Sequence, residues 1–365
     1  MGKAAALTRK LEKKAKTYKG DWYTINSILG NDWARFFYLL GGREAGKSYS
    51  VMRWGTNRKL KLRDKMKFYW FRLTETQQKS LLANNAGDLI DPDLKRKYNL
   101  KTMTKGNIVY TYKEVIEVNS KGKETVKKDD IQEFCRVMAC STFYNDKGRG
   151  YFDKDFDGEY LVILDEMNRE QNEKNSFDIV YAFVNQLENV LRSTKTRVRI
   201  IMIGNTLEEA SDLLSALNFI PDGFGRYKLK RKEAVVDYIM PNEKYKARRE
   251  KASANMLMPN ASTFTNEIEL DKSLIVSKRL RKQAQYIIKF NKSKDTWFTV
   301  WNDSIVSPYN NETCTQVIAM RRYLDEFYLL ENANSVIERF DARSYRFTTL
   351  AGFKQFQKQM RLLKK

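Results

Sequence analysis

The sequence predicts an α/β protein in which a mostly parallel central sheet is flanked by helices. Apolar segments of strand length alternate with helical patterns between residues 34 and 217. One segment is followed by a glycine-rich loop and a helix, and another ends in two carboxylates. Alternating strands and helices are typical of parallel sheets with helices on their faces.

The first predicted strand is Ala34–Leu40 (ARFFYLL), which two glycines end. A helical pattern runs from Lys47 to about Leu62, and Lys67–Phe71 (KFYWF) is the second predicted strand. Residues 107–118 alternate in polarity and face residues 131–139 across a charged turn, which predicts a long β-hairpin.

The apolar run Tyr160–Leu164 (YLVIL) is typical of a strand buried on both faces. Residues 177–193 have apolar side chains at helical spacing, Val198–Ile203 (VRIIMI) is predicted as another strand, and residues 207–217 are predicted as a helix.

Three regions are predicted along the chain. Residues 1–240 form an α/β domain with a basic N-terminal arm, residues 241–270 a linker, and residues 271–365 an α+β domain. In the last region, residues 285–290 and 296–301 are predicted as paired strands. It carries 18 bases and 9 acids, so it is basic in its own right.

Composition limits the possible functions. The net charge of +22 indicates a polyanionic partner, most simply nucleic acid. The complete absence of histidine excludes catalysis by serine–histidine or cysteine–histidine pairs. Three scattered cysteines form no disulfide framework and fit a reducing cytoplasm. No stretch is apolar enough to predict a membrane span, so no membrane partner is expected.

One loop matches the phosphate-binding pattern G-x-x-x-x-G-K-[ST] completely, between a predicted strand and a predicted helix. Its residues are Gly41, Gly42, Arg43, Glu44, Ala45, Gly46, Lys47 and Ser48. Backbone amides of such a loop bind phosphates, the lysine reaches the β- and γ-phosphates, and the serine hydroxyl can ligate Mg²⁺. The alternative is a glycine-rich turn without a ligand.

The predicted partner of this loop is the acidic pair that follows the strand at 160–164. Asp165 would hold Mg²⁺ and Glu166 would polarise the attacking water. The alternative is an ordinary strand that ends in an acid capping a helix. Because the chain has no N-K-x-D motif for guanine, ATP is favoured over GTP as the nucleotide. The α/β domain at 1–240 is therefore predicted to be a P-loop ATPase domain.

Two further polar residues are candidates for the site. Asn205 follows the strand at 198–203 and could hold the γ-phosphate or the attacking water; the alternative is a residue chosen for turn chemistry. Arg192 ends the helix at 177–193 and could reach the γ-phosphate on a neighbouring subunit; the alternative is an arginine that complements the helix dipole.

Four segments together resemble the DNA-packaging ATPases of small podovirus-type tailed phages. They are GGREAGKS, YLVILDE, ENVLRSTKTRVRIIMIGN and NFIPDGFGRY. The resemblance covers most of the chain, while the N-terminal arm and the hairpin at 107–139 look like additions to the family core.

The resemblance implies a ring ATPase of the additional-strand, catalytic-glutamate superfamily. Such motors drive double-stranded DNA into a preformed procapsid, as a homo-oligomeric ring, most simply a pentamer, at the portal vertex in the host cytoplasm. It leaves a structural RNA open as a further partner. It also implies that the C-terminal domain resembles a vestigial ribonuclease-H-type nuclease.

By the same resemblance, the loop from Gly41 to Ser48, Asp165 and Glu166 take the phosphate, metal and base roles. Arg192 falls on a trans-acting arginine of the family, Lys147 falls near a second trans-acting base, and Arg72 is a weaker match in the phosphate-contacting region. The alternative for Lys147 and Arg72 is a solvated surface base.

Other classes remain open. One is a helicase or a conjugation-type DNA pump, and another is a large terminase with an active nuclease. A two-metal nuclease needs several carboxylates, beginning inside its first strand. Neither predicted strand of the C-terminal domain contains an acid, which favours a binding domain.

Overall fold

The computed structural model describes most of the chain in two compact units. The described residues are 20–118, 124–142, 156–167, 178–191, 197–205, 212–217, 219–221, 224–251, 274–276, 284–302, 304–314, 316–321 and 333–363. The first unit comprises residues 1–213 and 223–268, and the second comprises residues 214–222 and 269–365. The two units are described separately below.

The first unit is built on a nine-stranded sheet with the order β3-β4-β5-β2-β6-β7-β1-β9-β8. Its strands are β1 (Phe36–Leu40), β2 (Met66–Arg72), β3 (Lys101–Lys105), β4 (Ile108–Val118), β5 (Glu124–Ala139), β6 (Glu159–Asp165), β7 (Arg197–Gly204), β8 (Gly225–Leu229) and β9 (Ala234–Tyr238). The six strands from β5 to β9 in this order are parallel, whereas β3, β4 and β8 pair antiparallel at the two edges. The predicted mostly parallel sheet is therefore confirmed.

Helices cover both faces of this sheet. The helices of the first unit are α1 (Asn26–Leu29), α2 (Lys47–Leu62), α3 (Glu75–Ala86), α4 (Pro92–Tyr98), α5 (Ile179–Leu191) and α7 (Glu243–Glu250). The short helix α6 (Asp212–Ala216) spans the point at which the chain passes from the first unit to the second. On one face, Phe37 and Ile163 share a buried core with Val51 of α2. On the other face, Phe71 of β2 makes an edge-on contact with Phe183 of α5, with ring centroids 5.7 Å apart. Successive strand side chains point to opposite faces, so the apolar runs fill two core layers.

The hairpin of β4 and β5 extends beyond the covered part of the sheet. Its inner half is buried at Val109 and Phe134, but its outer half exposes apolar side chains such as Ile116 and Val126, which are cross-strand partners. The charged turn predicted at 119–123 lies outside the described residues.

The second unit has a five-stranded sheet with the order β13-β10-β11-β12-β14. Its elements are β10 (Tyr286–Lys289), β11 (Trp297–Trp301), β12 (Ile305–Pro308), β13 (Val317–Ala319), α8 (Ala333–Asp341), β14 (Arg346–Phe347) and α9 (Leu350–Leu363). The predicted pairing of two strands is found in the antiparallel register of β10 and β11. Phe356 of α9 packs edge-on against Phe290 and Phe298, which fixes the helix on the sheet.

No helix among the described residues is long and apolar enough to span a bilayer.

Candidate nucleotide site

The candidate site lies where four neighbouring parallel strands end. The strands β2, β6, β7 and β1 are adjacent in that order, so their carboxyl ends lie at one edge of the sheet. Ligands of open α/β sheets bind at this edge. Strand β7 lies between the strand that precedes the glycine-rich loop and the strand that ends in Asp165. This is the additional strand expected from the resemblance.

The glycine-rich loop connects β1 to α2, as the sequence predicts. Gly46 has a φ of +87°, and a Cβ atom there would lie 3.2 Å from atoms of Trp22. Both facts favour glycine at this position. Glu44 also has a positive φ, 61°. The loop therefore turns tightly before α2 begins, and the N-terminus of a helix is a favourable place for an anion.

Lys47 is the first residue of α2 and is almost entirely buried. Its ammonium group donates hydrogen bonds to the carbonyl oxygens of Gly41 (2.8 Å) and Gly42 (2.7 Å). Burial lowers the pKa of Lys47 to about 7; the nearby Asp165 opposes this shift, and Arg43 adds to it. A buried ammonium group with few counter-charges is suited to an anionic ligand.

Ser48 and Asp165 meet across the site. The Oγ atom of Ser48 donates a hydrogen bond of 3.0 Å to Oδ1 of Asp165, and Asp165 is buried at the end of β6. A hydroxyl and a carboxylate at one point are hard oxygen ligands, which Mg²⁺ prefers when phosphate oxygens complete its shell. These two residues therefore fit a magnesium ion.

Glu166 follows directly and has a φ of +57°. A left-handed backbone at a residue other than glycine costs about 1–2 kcal/mol. The turn directs the Glu166 carboxylate to Arg72, which ends β2. The guanidinium of Arg72 makes ion pairs with both Asp165 (2.8 Å) and Glu166 (2.6 Å). Arg72 thus occupies the two carboxylates to which the sequence assigns the chemistry.

Asn205 follows the carboxyl end of β7, between the loop and the acidic pair. In the strand registers, Gly204 is opposite Leu40 of β1, and Ile203 is opposite Asp165 of β6. Asn205 is partly exposed at this edge. Asn205 therefore lies at the same edge of the sheet as the loop and the acidic pair.

Two other candidates cannot be located in this way. Arg192 and Lys147 both lie outside the described residues, so their roles remain predictions.

A set of contacts around the loop was not predicted from the sequence. Helix α7 contacts the outside of the loop: the Tyr245 hydroxyl donates to the carbonyl oxygen of Arg43 (3.0 Å), and Arg249 makes an ion pair with Glu44 (2.9 Å). Helix α7 begins the stretch that was predicted as a linker. The mixed bases of Glu243–Glu250 (EKYKARRE) are a weak sequence signal, because charged helices are common on protein surfaces.

Comparison with known proteins identifies the fold. No protein-family model matches the chain, and no curated protein matches it. Among solved structures, the chain is similar to the Phi-28 gp11 DNA packaging motor, with a TM-score of 0.56 and 15% identity. The match covers 94% of this chain and 97% of the other.

Two further matches are weaker. The N-terminal domain of the DNA packaging ATPase from bacteriophage phi29 gives a TM-score of 0.44 at 20% identity, covering 61% of this chain and 97% of that domain. The large terminase ATPase domain of a Thermus phage gives a TM-score of 0.39 at 15% identity, covering 68% and 92%. The Phi-28 match shows that this chain has the fold of a DNA packaging motor, as the sequence resemblance led us to expect.

Proposed function

We propose that this protein is an ATP-hydrolysing motor that moves double-stranded DNA into a phage procapsid. The observation that carries the proposal is the convergence of the loop lysine, the Ser48–Asp165 pair and Glu166 at one edge of a parallel sheet. Each belongs to a different element, and together they supply phosphate binding, a metal site and a base. The likeness of fold to a DNA packaging motor over nearly the whole chain supports the same activity.

ATP would bind with its phosphates in the loop at Gly41–Ser48. Ser48 and Asp165 would hold Mg²⁺, which neutralises the charge that develops on the phosphate oxygens when it is bound. Glu166 would orient the attacking water and accept its proton. Asn205, at the end of the strand between these groups, is placed to hold the γ-phosphate or the water.

Two residues must exchange partners for this reaction. Lys47 has to give up its two carbonyl acceptors before it can contact a phosphate oxygen. Arg72 has to release Glu166, because a carboxylate that is held in an ion pair is a poorer proton acceptor. The described geometry is therefore that of a resting site, and nucleotide binding supplies the new partners.

The charge of the chain supports a DNA partner. A motor that moves DNA of any sequence needs contacts to the phosphate backbone, and a net charge of +22 provides bases for them. In the proposed assembly, copies form a ring, most simply a pentamer, at the portal of the procapsid. Arg192 and Lys147 would act on the nucleotide site of the neighbouring subunit. A structural RNA is a further candidate partner.

The test is ATP turnover of the full chain with and without long duplex DNA. We expect turnover that requires Mg²⁺ and that duplex DNA stimulates strongly. Stimulation by single-stranded DNA instead would favour a helicase, and turnover that ignores DNA would contradict the motor.

A terminase with an active nuclease is a second candidate function. The residues of the second unit argue against it. Its central strands β10 and β11 contain no carboxylate. Glu312 lies near β11 but accepts hydrogen bonds from Thr299 (2.9 Å) and the backbone of Asn310 (2.7 Å). Among the described residues there is no cluster of three acids or cysteines that could hold a metal ion. Metal-dependent cleavage of DNA by the purified protein would contradict the proposal that the second unit only binds.

A further inference from the structure

A large aromatic side chain lies on the glycine-rich loop with about half of its surface exposed. Trp22 is 47% exposed, although its neighbours Tyr23 and Ile25 are buried. Its Cβ and Cε3 atoms lie 3.2 Å from the point where a Cβ on Gly46 would stand. An exposed tryptophan on a surface is common. Trp22 is unusual because it contacts the loop to which phosphate binding is assigned.

Backbone contacts hold the segment on both sides of Trp22. After it, the Tyr23 amide donates to the carbonyl oxygen of Ala45 (2.9 Å), and the Ile25 amide donates to Oγ of Ser50 (2.8 Å). The segment therefore crosses from the loop to the first turns of α2. Before Trp22, Asp21 makes an ion pair with Lys244 of α7 (2.8 Å). The residues on both sides of Trp22 are therefore tied to the loop, to α2 and to α7.

An arginine covers one side of the ring. The guanidinium carbon of Arg248 lies 3.8 Å from the ring centroid, so it stands directly over one face. Arg248 also donates to the carbonyl oxygens of Asp21 (3.1 Å) and Glu44 (3.3 Å). The exposed 47% of Trp22 therefore lies away from this arginine. The ring keeps an open aromatic surface that a ligand can cover.

We propose that the open face of Trp22 stacks on the base of the bound nucleotide. The inference rests on the proposed function, because it takes the phosphates to lie in the loop. The segment Trp22–Ile25 spans Ala45 to Ser50, where the loop passes into α2. In the proposed complex, the ribose and base would extend from the phosphates on this side of the loop. Flat π-faces of bases stack on aromatic side chains, and such a contact accepts any base. The Trp22 ring therefore adds affinity for a nucleoside triphosphate over a bare triphosphate, with no choice between adenine and guanine.

The experiment compares two probes on the full chain with Mg²⁺: ATP and inorganic tripolyphosphate. Stacking on one aromatic side chain changes affinity by roughly fivefold to a hundredfold. We expect Trp22→Ala to weaken ATP binding by about tenfold and to leave tripolyphosphate binding unchanged. Trp22→Phe retains an aromatic face and should keep most of the ATP affinity. Tyr181→Ala, which removes an aromatic side chain that is 51% exposed on α5, is the matched control.

Three results would overturn the inference. ATP affinity that survives Trp22→Ala would show that the ring contacts no base. Equal losses for ATP and tripolyphosphate would show that Trp22 only shapes the loop. Wild-type protein that binds neither probe would overturn the proposed function as well, so the two failures can be told apart. A change in tryptophan fluorescence on adding ATP, which is absent with tripolyphosphate and lost in Trp22→Phe, provides a second readout of the stack.

Discussion

Nη2 of Arg72 lies 2.6 Å from Oε2 of Glu166, so a cation at the end of β2 holds the carboxylate to which the base role is assigned. The same guanidinium pairs with Asp165 at 2.8 Å. One arginine therefore contacts both the proposed metal ligand and the proposed base. In this arrangement one positive charge offsets half of the charge of the acidic pair, and under the proposed mechanism Arg72 has to leave Glu166 before hydrolysis.

Replacing Arg72 tests this restraint. Arg72→Gln removes the charge and keeps a polar side chain at the end of β2. An ion pair to a half-exposed carboxylate is worth about 1 kcal/mol, so its loss should raise basal ATP turnover by about fivefold. The measurement is steady-state turnover of ATP without DNA, at saturating Mg²⁺.

The contrary result is equally informative. A fall in turnover with unchanged ATP affinity would mean that Arg72 stabilises the transition state instead of restraining Glu166. Arg58→Gln is a suitable control, because Arg58 pairs with Glu159 at the opposite end of β6 and lies away from the nucleotide.

The two neighbouring carboxylates should give different defects. Glu166→Gln keeps the shape of the side chain but cannot accept a proton, so turnover should fall by about 10²–10⁴-fold while ATP affinity is retained. Asp165→Asn should instead weaken binding of ATP in the presence of Mg²⁺, because it removes a metal ligand. Binding and single-turnover measurements on both variants separate the roles. Near-normal turnover by Glu166→Gln would rule out its assignment as the base.

Local patterns were enough to predict much of this site. Lys47 and Ser48 follow from the spacing of a single loop, and Asp165 follows from its place at the end of an apolar strand. Parallel strands bring their carboxyl ends to one edge, so residues that are far apart in sequence could be grouped correctly from topology alone.

The side-chain contacts of these residues could not be predicted from local sequence patterns. Arg72 was only a weak match, because its contact with Glu166 joins the ends of two strands that are 94 residues apart in sequence. The contact of Trp22 with Arg248 depends on where α7 packs after β9 ends, and a charged eight-residue helix carries no apolar stripe that predicts its neighbour. Side-chain pairs of this kind depend on tertiary packing.

The amino-terminal end of β6 gives a stability prediction. Glu159 accepts hydrogen bonds from Arg58 and Arg199. Burial raises the pKa of Glu159, but Arg58 and then Arg199 outweigh it, so the pKa lies below its ordinary value of 4.5. Glu159→Gln should lower the free energy of unfolding by about 1–3 kcal/mol at pH 7.

The sign of the pH dependence follows from the lowered pKa. The folded protein holds Glu159 charged at pH values where the unfolded chain is already protonated, so this stabilisation is complete above pH 4.5 and is lost as the pH falls further. Denaturation curves of Glu159→Gln and wild type should converge in acid. A difference that stays constant down to pH 3 would contradict this account.

Complementation between two inactive variants tests the trans role of Arg192. A subunit with Arg192→Ala keeps its own Glu166, and a subunit with Glu166→Gln keeps its own Arg192. If Arg192 acts on the neighbouring site, about a quarter of the sites in an equal mixture should be active. Half of the subunits have an intact Glu166, and half of these have a neighbour with an intact Arg192. Turnover of the mixture is compared with that of each variant alone. A mixture as inactive as its components would favour the helix-dipole interpretation of Arg192.

Binding to duplex DNA should weaken steeply with salt. Contacts to phosphates release condensed counterions, so the logarithm of the affinity falls linearly with the logarithm of the salt concentration, with a slope of about −0.9 for each phosphate contacted. The measurement is the affinity for duplexes of equal length and different sequence between about 50 and 200 mM salt. Over this range, a protein with about six phosphate contacts loses affinity by about a thousandfold. Equal slopes for all sequences would fit a motor that grips the backbone alone. An affinity that does not change with salt would mean that the charge of +22 serves another partner. Lysine and arginine side chains that contact DNA phosphates always release condensed counterions.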